Sequence, residues 1–146
     1  MSIAALITWL ITAGFGSFML RLWISHGGLR RTGDGASHFP PARVFSHLGL
    51  AVAGLIVWIF YLVTDNGILA WIAVADLVLV ALLGSLLVSR WASDGRAAMR
   101  ADRPSGGAEP DLAEQHIPRV PVVLHGVFAV STLILVLLSA LGIGGS

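Results

Sequence analysis

The chain has 146 residues, 56% hydrophobic and 12% charged, with a mean hydropathy of +0.86 and a formal net charge of +1. That apolar excess is more than a globule of this size buries, so the chain reads as an integral membrane protein. The small net charge names no nucleic-acid partner, and the absence of cysteine excludes disulfides, thiolate metal ligands and thiol catalysis.

Four apolar stretches are long enough to cross a hydrocarbon core as helices: residues 3–23, 44–63, 68–88 and 120–143. The first has no basic leader and ends in Arg21, so a cleaved signal peptide is not expected. The connections between them, 24–43 and 89–119, are rich in Gly, Ser, Asp, Arg and Pro. Within them, 27–37 and 93–114 read as mobile loops without a core of their own. The second and third stretches are joined by Thr64-Asp65-Asn66-Gly67, short enough to make an antiparallel hairpin. The fold class is therefore all-α, a four-helix transmembrane bundle forming a single domain.

Every basic residue is an arginine, and all of them (Arg21, Arg30, Arg31, Arg43, Arg90, Arg96, Arg100, Arg103 and Arg119) fall in or beside the two long connections. By the positive-inside rule both connections are cytoplasmic and both termini lie outside. Trp23 and Trp91 would then mark the cytoplasmic interface and Trp58, Tyr61 and Trp71 the outer one, as an aromatic belt. Arginine without lysine, with abundant Ala, Gly, Val and Leu, suggests a bacterium with a GC-rich genome, and hence the bacterial cytoplasmic (inner) membrane.

The histidines carry a pattern that occurs twice. His38-Phe39-Pro40 followed by His47 matches His116-Ile117-Pro118 followed by His125, an offset of 78 that also pairs Val44 with Val122, Ala51-Val52 with Ala129-Val130, and Leu55-Ile56 with Leu133-Ile134. Gly16-Ser17 and Trp23 match Gly84-Ser85 and Trp91 at an offset of 68. The chain thus reads as two helix–loop–helix repeats related by an approximate two-fold axis along the membrane normal. Pro40 and Pro118 suit helix starts. His47 and His125 follow them by seven residues, which puts both about 5–10 Å inside the cytoplasmic boundary. Helices two and four run the same way and occupy diagonal corners of an up-down bundle, so the two imidazoles can converge on its axis.

A titratable group inside a span is costly and rarely idle. A haem suits the gap between two imidazoles, since its iron takes two axial nitrogens and its porphyrin is mostly apolar. Ala51 and Ala129, one turn along the same face, would leave room for the ring; Arg43, one turn the other way, could pair with a propionate. Arg119 is off the face of His125 and fits that role less well. With this pairing the chain resembles the four-helix membrane cytochromes b, in which paired histidines on core helices hold a b-type haem. The resemblance implies a cytochrome b-like protein that carries electrons, as a component of an oxidoreductase, or handles haem, with His47 and His125 as axial ligands. It departs from the di-haem members, since no histidine lies in the outer half.

Other readings stay open. His47 and His125 could be polar glue, bonded to Ser17, Ser85 or a backbone carbonyl, in a cofactor-free scaffold or accessory subunit of a larger membrane complex. His38 and His116, at the membrane surface, could form a second metal or haem site, or fold back to join the pair around a divalent metal such as zinc in a small metal or solute carrier. At a helix start they read more simply as interfacial residues. His26 has no counterpart and reads as an ordinary loop residue. Asp76, about 12 Å into the third span, is expected to be protonated, paired or facing water. Its candidate partners are Thr8, Thr12 and Thr132, and its functional reading is a proton relay. The partners expected are the lipid bilayer, a redox protein or larger complex, and a second copy in a homodimer. No nucleotide loop, nucleophile elbow or metalloprotease motif occurs.

Overall fold

The computed structural model describes residues 1–29, 37–101 and 112–143, which are all-helical, with no strand among them. Helix α1 is Ser2–Ser25, α2 is Pro41–Thr64, α3 is Gly67–Ala101 and α4 is Arg119–Ala140, with one 3-10 turn, Ala113–His116, leading into α4. All four α-helices are long and apolar enough to cross a membrane. Their outer faces carry large apolar side chains, among them Ile7, Phe18, Ile56, Phe60, Leu82 and Val130.

The helix starts follow from local chemistry. Pro40 and Pro118 are the residues just before α2 and α4, both extended (φ −62° and −63°), where a missing N–H leaves no carbonyl unserved. Between α2 and α3, Asp65 takes a left-handed conformation (φ 53°) and returns its N–H to the Tyr61 carbonyl at 2.8 Å. Asn66 Oδ1 then accepts the Ile68 N–H at 3.0 Å, capping α3. Two residues are enough to reverse the chain.

Helix α1 packs along α4, α2 along α3, and α3 along α4, while α1 and α2 touch only slightly. Among the described residues α2 and α4 make no backbone contact, nor do α1 and α3, so α2 and α4 are diagonal. One apolar cluster, around Ala5, Trp9, Trp58, Ala73, Leu77 and Val136, fills the end bearing the Asp65-Asn66 turn. A second, of Trp23, Phe39, Ala113 and Ile117 with Met19, Leu20, Val44 and Trp91 against it, fills the end bearing the long connections.

Three expectations change here. Helix α3 does not stop with its apolar stretch at 88 but continues to Ala101, since Arg90 to Ala101 holds several good helix formers that extend a nucleus already paid for by the span. Residues 112–117 are not a coreless loop: Leu112, Ala113, Glu114 and Ile117 are buried and roof the bundle. The rest of the connections, 30–36 and 102–111, lies outside the described residues. Trp23 and Trp58, expected in an aromatic belt, are 2% and 0% exposed and point inward. Trp23 Nε1 donates to Ser37 Oγ at 2.8 Å, and Trp58 Nε1 to the Ser2 carbonyl at 3.3 Å, so burial leaves neither donor unmet. Trp71 is exposed, as a belt residue would be.

Candidate functional site

Between the two apolar clusters lie His47 and His125, their ring centres 6.2 Å apart and their planes 53° apart. The diagonal helices α2 and α4 supply the rings, and the other two helices hold them. Nδ1 of His47 lies 3.0 Å from the Val80 carbonyl of α3, and Nδ1 of His125 lies 2.9 Å from the Thr12 carbonyl of α1. A carbonyl can only accept, so each Nδ1 carries a proton, and in the neutral ring Nε2 then keeps its lone pair.

Glycine makes this possible. A helical Cβ leans toward the N-terminus and covers the preceding turn, so the side chain at position i+4 shields the carbonyl at i. Gly84 follows Val80, and Gly16 follows Thr12, by four residues. A Cβ at Gly84 would stand 3.0 Å from His47 Cε1, and one at Gly16 would stand 3.1 Å from His125 Cε1. Each imidazole therefore lies directly on a bare stretch of the opposite helix and shares a carbonyl that also serves the helix ladder. Neither Nε2 has a hydrogen bond among the described residues. Neither is among the polar atoms buried without a partner, so each keeps an open side.

The distance between ring centres is one that two imidazoles on a single ion can have. Two metal–imidazole bonds of about 2.0 Å, plus about 1.1 Å from each nitrogen to its ring centre, place two such centres about 6 Å apart. Ligating histidines commonly donate their second ring N–H to a carbonyl, which fixes tautomer and orientation. Ala51 and Ala129 are half-buried small residues one turn along, and Leu55 and Leu133 pack against the Trp58 cluster beyond them. Phe15 and Phe128 stack at 6.1 Å across the neighbouring α1–α4 seam. Arg43, half-buried, makes no side-chain hydrogen bond or ion pair among the described residues.

The outer histidines turn elsewhere. His38 Nδ1 contacts Asp94 Oδ1 at 3.1 Å, and its backbone N–H donates to Glu114 Oε1 at 2.6 Å. His116 stacks on His26 with ring centres 4.0 Å apart. The two are thus not brought together, and neither joins the membrane pair.

Asp76 is brought against Gly54 of α2, where a Cβ would overlap Oδ2, with Trp9 beside it. Its Oδ2 is buried without a hydrogen bond. The expected threonine partners are engaged with each other: Thr132 Oγ1 donates to Thr8 Oγ1 at 2.9 Å, and Thr12 Oγ1 to the Thr8 carbonyl at 2.8 Å. Thr132 stands 78 residues after Gly54, and Asp76 stands 68 after Thr8. One seam thus holds an acid against a glycine where the other holds two threonines.

A backbone carbonyl was among the partners expected for His47 and His125, and Gly16 and Gly84 read as places of close approach; that the carbonyls are those of Thr12 and Val80, bared by these two glycines, was not drawn from the sequence, although the offsets of 68 and 78 taken together contain it. Asp94 and Glu114 had no such signal. No family model matches the chain, and no curated protein or solved structure matches it either.

Proposed function

We propose that the chain is a multi-pass protein of the bacterial cytoplasmic membrane that holds one haem b between His47 and His125, cytochrome b-like, and carries electrons or handles haem near the cytoplasmic leaflet. The observation that carries this reading is the imidazole pair itself: 6.2 Å apart, each ring fixed through Nδ1, each Nε2 left with its lone pair. When bound, the haem would supply one-electron chemistry.

The chain's own residues do the rest. The Val80 and Thr12 carbonyls orient the rings and raise their basicity as ligands. Gly84 and Gly16 let the rings reach those carbonyls, Ala51 and Ala129 leave space along the ring face, and Arg43 is the cation placed to take a propionate. Apolar clusters lie above and below the site. The arginine distribution supports an orientation with both connections cytoplasmic and both termini outside. The matching offsets, and the matching contacts of His47 and His125, support descent from a doubled helix–loop–helix unit.

The test is an absorbance spectrum of freshly purified protein before and after reduction. A sharp reduced α-band is expected in the wild type, lost in His47→Ala and in His125→Ala and kept in His26→Ala. Protein that stays colourless after haem addition overturns the reading and leaves the histidines as interhelical polar links in a scaffold subunit.

A further inference from the structure

We propose a second, separate site at the connection end of the bundle: a divalent-cation site made by His38, Asp94 and Glu114, suited to Zn²⁺, which takes imidazole and carboxylate together, and more weakly to the harder Mn²⁺. One donor atom from each residue lies within 4.8 Å of the others. The three come from distant parts of the chain: His38 just ahead of α2, Asp94 on the extension of α3, and Glu114 in the 3-10 turn ahead of α4.

The burial of the carboxylates is what points to a ligand. Glu114 is 0% exposed, and its Oε2 is buried without a hydrogen bond. Asp94 Oδ2 is buried and unpartnered as well. A fully buried carboxylate with an idle oxygen, as in Glu114, is expensive, and the mostly buried Asp94 beside it adds like charge. Among the described residues the side-chain contacts of both acids converge on His38: its Nδ1 is 3.1 Å from Asp94 Oδ1 and 4.0 Å from Glu114 Oε1, and its N–H holds Glu114 Oε1. An ion bound at about 2.0–2.2 Å from each donor spaces its ligands about 3.3 Å apart; the His38–Asp94 pair, at 3.1 Å, is near that spacing, and Glu114, at 4.0 Å from His38, would have to draw in. Both acids also line a cavity of about 610 Å³, walled by Trp91, Ile117 and Arg119, which gives an ion and its remaining waters a way in. One imidazole with two carboxylates is a donor set for zinc or manganese; magnesium, which prefers oxygen and keeps its water, fits it less well.

Such an ion would tie both long connections to α3 at the lip of the bundle. It does not depend on the haem reading.

The test titrates tag-free, chelator-treated full-length protein in detergent with Zn²⁺ alone and with Mn²⁺ alone, with Mg²⁺ as the control. One equivalent of Zn²⁺, and one of Mn²⁺ held more weakly, neither displaced by Mg²⁺, is expected. Glu114→Gln, Asp94→Asn and His38→Ala should each weaken it by at least about tenfold. His116→Ala should not, and a His47→Ala/His125→Ala variant should keep the equivalent, so failure of the haem reading and failure of this one are told apart. Absence of stoichiometric uptake overturns the proposal, as does uptake unchanged by Glu114→Gln and His38→Ala, or loss of the equivalent in the His47/His125 variant. His38 is exposed, so if Glu114→Gln fails to fold by circular dichroism, His38→Ala decides alone.

Discussion

Gly84 of α3 lies against the imidazole of His47 with no side chain between the helix and the ring, and the ring uses that opening to reach the Val80 carbonyl. The same relationship holds between Gly16 of α1 and His125. Alanine at either position puts a methyl group 3.0–3.1 Å from Cε1 of the ring, so the ring or the helix must give by a few tenths of an ångström. Gly84→Ala and Gly16→Ala should each cost about 1–3 kcal/mol in detergent thermal melts, the range for overpacking a close contact. On the haem reading they should also lower occupancy, measured as α-band intensity per mole of protein. An unchanged melting temperature in both variants would mean that the rings are not seated on these glycines.

Gly54 and Asp76 make a second close contact, with a different remedy. Gly54→Ala should destabilise by about 1–3 kcal/mol, because the new methyl would overlap the Asp76 carboxyl. Adding Asp76→Ala should recover most of that loss, since the two positions share one space and their effects are not additive. The double-mutant cycle on thermal unfolding reads this directly. Additive losses would show that the carboxyl does not rest on α2 at Gly54.

In the opposite seam the single hydroxyl proton of Thr132 is shared between Thr8 Oγ1 at 2.9 Å and the Phe128 carbonyl at 2.8 Å. Thr132→Val keeps the shape and removes the bond between helices. Interhelical hydrogen bonds of this kind average about 0.6 kcal/mol, so the change should be small, well under that of Gly54→Ala. A loss several times larger would mean that the hydroxyl has a further partner.

The absence of cysteine makes topology simple to read, because any introduced thiol is unique. Thr64→Cys, at the end of α2, should react with an impermeant maleimide added to intact cells. Ser93→Cys, on the extension of α3, should react only after the membrane is opened. The reverse pattern would invert the proposed orientation.

The four helices were legible because apolar runs of this length leave little else for the chain to do: the expected span 3–23 became Ser2–Ser25 and 44–63 became Pro41–Thr64. The diagonal placement of His47 and His125 was legible for a related reason, since an up-down order with short links leaves few arrangements. The polar half of α3 was not, because Ser93, Asp94 and Gly95 suggest a loop by composition while their neighbours and the preceding span favour a helix. The inward turn of Trp23 was missed too. Amphipathic position alone does not tell which side of a helix an indole takes, and here Ser37 and the bare backbone at Gly28 provide the inner site. The meeting of His38, Asp94 and Glu114 depends on where three remote segments come to rest, which no local spacing encodes.

Each imidazole is borne by one half of the chain and steadied by the other: the ring on α2 is anchored to α3, and the ring on α4 is anchored to α1. Neither half can complete the site for itself. A ribosome that has delivered α1, α2 and α3 has made one anchored histidine; the second is anchored only when α4 arrives and closes against α1. The central pair is therefore finished last, and it can report that the whole bundle has come together.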